Sequence, residues 1–104
     1  MIYVFATIEL SAGKRPAFLA EFRKIMPLVR AEAGCVQYEP TVDVDTNIPA
    51  QGGARADVVT VVEQWRSIED LEHHLVAPHM IEYRNKVRGM VTGTRLQILQ
   101  PAES

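Results

Sequence analysis

With 104 residues, of which 47% are hydrophobic, the chain is long enough for one domain around one core and needs neither disulfides nor a structural metal to hold it. Its lone cysteine, Cys35, excludes an intrachain disulfide and leaves too few ligands for a zinc-finger-like site. The net charge of −2 comes from interspersed signs, and the brief basic cluster of Arg84, Lys86 and Arg88 is no footprint for nucleic acid.

Met1 to Leu10 has no basic leader and no small-residue cleavage pattern, and no stretch approaches the roughly 20 apolar residues of a membrane span. A soluble, cytoplasmic protein with no membrane partner is the expectation. Ile2 to Leu10 is rich in Ile, Tyr, Val and Phe and reads as a first strand, closed by the break Ser11-Ala12-Gly13. In its first half Ile2, Val4 and Ala6 point one way and Tyr3 and Phe5 the other, so both faces call for cover.

From Lys14 the residues Phe18, Phe22, Ile25 and Val29 recur at helical spacing, which predicts a helix over 14–33 with Pro16 in its first turn and Gly34 as its stop. Pro27 lies inside it and predicts a kink or break. A second strand is expected over 35–42, with Val36, Tyr38 and Val42 on one face, and Pro40 marks it as an edge strand or its end. Residues 43–57 carry Asp, Asn, Pro, Gln and a Gly-Gly pair and read as a flexible loop.

Val58 to Trp65 is a third strand without a clean polar face, so it belongs inside the sheet. Ser67 followed by Asp70 resembles a helix N-cap. Pro78 divides the helical stretch that follows into 67–77 and a piece running to about Arg88. Gly89 and Gly93 bracket the turn into a last strand over 94–100, with 101–104 as a tail. The order βαββαβ over a single domain 1–104 is ferredoxin-like α+β, a four-stranded antiparallel sheet with its helices on one face. The bare face needs a cover, and the same face of a second copy is the simplest, which predicts a homodimer built as a dimeric α+β barrel.

On a helical wheel Ile68, Leu71 and Leu75 share one side, which puts His73 opposite them in solvent and His74 at the flank. In the next piece Met80, Tyr83 and Val87 group together, with His79 at their flank. A flank histidine exchanges protons near neutral pH, so His74 and His79 are the catalytic candidates; the plainer reading makes both packing residues. Trp65, Tyr38 and Tyr83 are candidates for the walls of a substrate pocket and equally for core. Neither a metal nor a cofactor is expected: His74 and His79 lie at no recognised ligand spacing, and Glu63, Glu72 and Glu82 come with no motif as a third ligand. No phosphate loop, Walker sequence or G-x-S-x-G elbow is present. Cys35 reads as a small buried residue, having no basic partner in sequence.

Three segments combine: Glu32-Ala33-Gly34-Cys35-Val36-Gln37-Tyr38-Glu39, Glu63-Gln64-Trp65-Arg66-Ser67, and His74 through Pro78-His79. Together they resemble the antibiotic biosynthesis monooxygenase family over nearly the whole chain. The resemblance implies a dimeric ferredoxin-like barrel and a cofactor-independent oxygenase that oxidises a quinol or polycyclic phenol with O2. It also implies His74 or His79 as base, Trp65 as pocket wall, and Tyr38 or Tyr83 as an orienting phenol. Related barrels degrade haem or isomerise small molecules, and fold alone does not choose among them. The haem-degrading relatives use a strand-one Asn and a ligand His, where this chain has Ala6, Thr7 and Arg84, which disfavours that activity. Two alternatives stay open: a cofactor-free isomerase or other proton-transfer enzyme on a small carbonyl compound, and a non-catalytic module that binds an apolar ligand.

Overall fold

The computed structural model describes residues 1–103. Alternation in the first segment sets the sheet: β1 (Ile2–Leu10) buries Ile2, Val4, Ala6, Ile8 and Leu10 on one face and leaves Phe5 and Glu9 exposed on the other. Strand β1 is central, pairing antiparallel with β3 (Val58–Trp65) on one side and β4 (Val91–Leu99) on the other. Strand β2 (Cys35–Thr41) joins β3 at the edge, giving the order β2-β3-β1-β4. Three helices, α1 (Arg15–Arg30), α2 (Ile68–Leu75) and α3 (Pro78–Val87), complete a ferredoxin-like α+β fold. The stripe Phe18, Phe22, Ile25 and Val29 of α1 packs into one core with Leu71, Met80, Tyr83 and Val87 and the inward face of the sheet.

The boundaries depart from expectation where the chain finds partners outside its own segment. Of the kink or break expected at Pro27, the break does not occur: helix α1 runs through it and ends at Arg30, short of Ala33. A proline forfeits one donor, the bond from residue 27 back to residue 23, and the helical ladder resumes past it, Ala31 N–H donating to the Pro27 carbonyl at 3.2 Å. In β2 only Tyr38 is buried, while Val36 and Val42 are exposed, so the predicted apolar face does not form. The cause is an edge position, which Pro40 announced, plus a register shift between Cys35 and Gln37. Strand β4 begins at Val91, not Thr94, and Gly93 lies within it opposite Glu9, beside a register shift between Glu9 and Leu10. Gly93 thus serves an irregularity in the ladder rather than the turn.

Ser67 caps α2 as its sequence suggests, its Oγ accepting from Asp70 N–H at 3.1 Å. Residues 43–57 hold a short 3-10 turn, Pro49–Gln51. Their base is clamped by Arg55, whose Nε and Nη2 donate to the two Asp43 oxygens at 2.8 and 3.0 Å. Those bonds hold the Asp43 carboxyl down at about 2.

Candidate active site

The site is assembled where three distant segments meet. With its start fixed by Ser67 and its end by the break before Pro78, α2 turns Leu71 and His74 inward. His74 is only 2% exposed, a deeper position than the flank of an ideal wheel. Its ring lies against Trp65, centroids 4.6 Å apart, and meets Tyr38 edge-on at 5.3 Å.

The third segment is the turn after α1, which carries Glu32. Its backbone is set by Glu32 N–H donating to Val29 O at 2.9 Å and Cys35 N–H donating to Glu32 O at 3.2 Å. Gly34 completes the turn at φ +80°, and a Cβ there would overlap the Asp70 carboxylate at the start of α2. The Glu32 carboxylate accepts from His74 Nδ1 at 3.0 and 3.1 Å and from His79 Nε2 at 2.6 Å. A carboxylate only accepts, so the proton of neutral His74 sits on Nδ1 and its Nε2 carries the lone pair. Burial pushes His74 below its ordinary pKa, against the opposing pull of Glu32, which favours this neutral form.

Between the helices and the inward sheet face lies a cavity of about 460 Å³. Ala6, Ile8, Phe22, Val61, Met80 and Val87 give it an apolar wall. The polar groups that reach it are His74, Glu63, Tyr38 and Tyr83, with Arg84, Arg88 and Thr94 toward solvent. That size and lining suit a small organic molecule held by a few polar contacts.

Glu63 is 5% exposed, and its Oε1 accepts from Trp65 Nε1–H at 2.9 Å. Burial, with a smaller push from Glu32, raises its carboxyl to about 7 despite the Trp65 hydrogen bond. Burial also pushes the Tyr38 and Tyr83 phenols up, so both remain neutral donors. Tyr38 stacks on Phe22 at 5.3 Å, and Tyr83 meets Phe22 edge-on at 5.9 Å. Among the described residues no protein group bonds to either phenol oxygen, to Glu63 Oε2 or to His74 Nε2; none of these atoms is fully buried, and all four residues line the cavity.

Of the residues singled out from sequence, His74, Tyr38 and Tyr83 therefore line the cavity together. Trp65 lies behind them, fully buried, backing His74 and holding Glu63, and His79 contacts Glu32 outside the cavity lining. His73 is exposed, as its wheel position predicts. Two groups escaped notice as site residues. Glu32 approaches His74 across 42 positions of sequence, and Glu63 reads from sequence only as a motif-less metal-ligand candidate. Both stand in the segments that carry the family resemblance, Glu32 before Gly34-Cys35 and Glu63 before Trp65, and that is the signal the sequence offers. Among the described residues no group of three His, Cys, Asp or Glu side chains is arranged to hold a metal ion. Burial raises the Cys35 thiol, which makes it a poor nucleophile.

Fold and cavity together define a ferredoxin-like α+β domain with a largely apolar cavity between its helices and its sheet. Residues 1–86 match the family model for antibiotic biosynthesis monooxygenases, and the chain belongs to that family. It is 42% identical over 103 residues to the Escherichia coli K12 protein named "Probable quinol monooxygenase YgiN", spanning 97% of this chain and 98% of that one. Among solved structures, Rv0793 from Mycobacterium tuberculosis is 26% identical with a TM-score of 0.77, over 99% of this chain and 96% of that one. PA3566 from Pseudomonas aeruginosa shares the fold at 24% identity and a TM-score of 0.76, over 96% and 92% of the two chains. Among the described residues no helix is long and apolar enough to cross a membrane.

Proposed function

We propose that this protein is a cofactor-independent monooxygenase that oxidises a quinol or polycyclic phenol with O2, using His74 as the base. The observation that carries this is His74 itself: Glu32 holds its Nδ1–H, and the ring, whose Nε2 has no partner among the described residues, lines an apolar cavity. The name of the YgiN relative supports the substrate class. Removing a phenolic proton creates an electron-rich anion able to reduce O2 directly, so the protein supplies a base, orientation and stabilisation of charge. For a hydroquinone the sum is hydroquinone + O2 → hydroxyquinone + H2O. Tyr38 and Tyr83 donate to substrate oxygens, Trp65 backs the base, and His79 helps to orient Glu32.

The chain works as a homodimer on this reading, paired through the sheet face opposite the helices. Support comes from Phe5, 44% exposed on that face, with Tyr3 and Val62 beside it only half-buried.

The test is oxygen uptake by metal-stripped protein with a panel of hydroquinones and polycyclic phenols. Wild type turns over, His74→Ala loses on the order of 100-fold or more, and His79→Ala loses less. Wild type that consumes no oxygen on any of these compounds overturns the proposal and favours the isomerase or binding reading.

A further inference from the structure

A base removes a proton at the start of such a reaction, but the reaction also needs an acid later. Once O2 bonds to the substrate anion, the product is a ring-bound peroxide anion, and its O–O bond does not break to release hydroxide until the oxygen is protonated. His74 has just accepted a proton and faces the phenol, so a second group placed elsewhere on the cavity wall is the natural donor.

The geometry points to Glu63 as that acid, a second catalytic residue that protonates the substrate peroxide. The inference rests on the oxygenase reading above. Glu63 is a buried carboxyl group with no cationic partner among the described residues. Trp65 Nε1–H fixes Oε1 at 2.9 Å, while Oε2 has no partner among the described residues and is not fully buried, in a side chain that lines the cavity. Trp65 touches both members of the pair, holding Glu63 through its N–H and His74 through its ring face. Tyr38 sits opposite Glu63 in the β2–β3 register and meets the His74 ring at 5.3 Å, so acid, base and phenol converge on one end of the cavity.

The surroundings drive the two groups apart in the required sense. The titratable groups near Glu63 are Glu32 in the α1–β2 turn and Tyr38 and Cys35 on β2, none of them a cation. His74 of α2 and Arg84 and Arg88 of α3 face the same cavity. Burial keeps a proton on Glu63 to about pH 7 and keeps one off His74, which is how neighbouring titratable groups are assigned opposite roles.

The step balances. His74 Nε2 takes one hydroxyl proton from the hydroquinone. The anion gives two electrons in all to O2 as the ring C–O bond forms. Glu63 protonates the terminal oxygen, the O–O bond breaks, and hydroxide leaves with the proton of that ring carbon as water, leaving a new carbonyl. Proton return from the imidazolium to the carboxylate resets the pair.

The experiment measures oxygen uptake and hydrogen peroxide release together, in wild type and Glu63→Gln, with whichever quinol of the panel wild type consumes. Glutamine keeps an acceptor for Trp65 and lacks the proton. Turnover is expected to fall at least about tenfold, and the share of O2 released as H2O2 to rise, because an unprotonated peroxide is shed rather than cleaved. A purely structural role would not move that share. In wild type the share rises as pH passes about 7, a readout that needs no variant. Wild-type turnover with an unchanged product ratio, in the variant or across pH 6 to 8, overturns the inference alone. Wild type without oxygen uptake overturns it together with the oxygenase reading.

Discussion

Replacing Glu63 by Gln changes how stability responds to pH, and the size of the change follows from the site. In the folded protein the Glu63 carboxyl titrates at about 7, against an ordinary value of 4.5. A raised value means that the native state holds the proton more tightly than the unfolded chain. Stability is therefore present in full below 4.5 and is lost as pH rises to 7. Over the whole window the shift corresponds to about 3 kcal/mol, most of which falls between pH 5 and pH 8. His74 acts with the opposite sign: its folded value is lowered, so it costs stability as pH falls below about 6.5. Because His74 is present in both proteins, its effect cancels in the difference between them. The assay is urea unfolding of wild type and Glu63→Gln at pH 5, 6, 7 and 8. The variant gains about 2–3 kcal/mol relative to wild type across that range, a shift of roughly 10 to 20 °C in Tm for a domain of this size. A wild-type-minus-variant difference that stays constant to within about 0.5 kcal/mol refutes the reasoning, since the carboxyl would then titrate alike in both states.

Glu32→Ala strips both histidines of their acceptor. With His74 buried and hydrogen bonds to charged groups contributing about 1.5–3 kcal/mol each, thermal unfolding should register a loss of about 2–4 kcal/mol. Turnover should drop by roughly 100-fold or more as the imidazole loses its set tautomer, and retention of activity to within twofold would contradict that role for Glu32. Gly34→Ala forces a side chain into a left-handed backbone and onto Asp70, at a cost of about 1–3 kcal/mol; denaturant midpoints equal to wild type would contradict the packing described. Phe5→Glu places a charge on the bare sheet face, and sedimentation should show dimer converted to monomer, whereas a wild type that sediments as monomer removes the basis for the paired sheet.

Local patterns carried most of the fold. The apolar runs of β1 and β3, the stripe of α1, the Ser67 cap and the division at Pro78 are all properties of a few neighbouring residues. What escaped was decided by contacts at a distance. Gly93 reads as a turn residue until its pairing with Glu9 is known, and Val36 reads as core until β2 is seen to lie at an edge with a shifted register. The site divides in the same way. A helical wheel brought His74 near the core, but only Trp65 and Tyr38 explain its full burial, and only Glu32 explains its orientation. Trp65 was legible as either core or wall, and its position behind His74 depends on where α2 docks. Glu63 follows ordinary strand alternation onto the inward face, yet a charged letter in a strand does not reveal that it lacks a cation.

The Asp43–Arg55 clamp has a further consequence for how this chain tolerates change. By fixing the two ends of the segment between them, and with Arg15 of α1 donating to the Arg55 and Val58 carbonyls at 3.1 and 3.3 Å, it isolates residues 44–54 from the strands on either side. Lengthening a closed loop is inexpensive, about 0.6 kcal/mol for each doubling. A fluorophore or affinity tag spliced between Gly52 and Gly53, both exposed and with open space around them, would therefore report on the protein while leaving its register untouched.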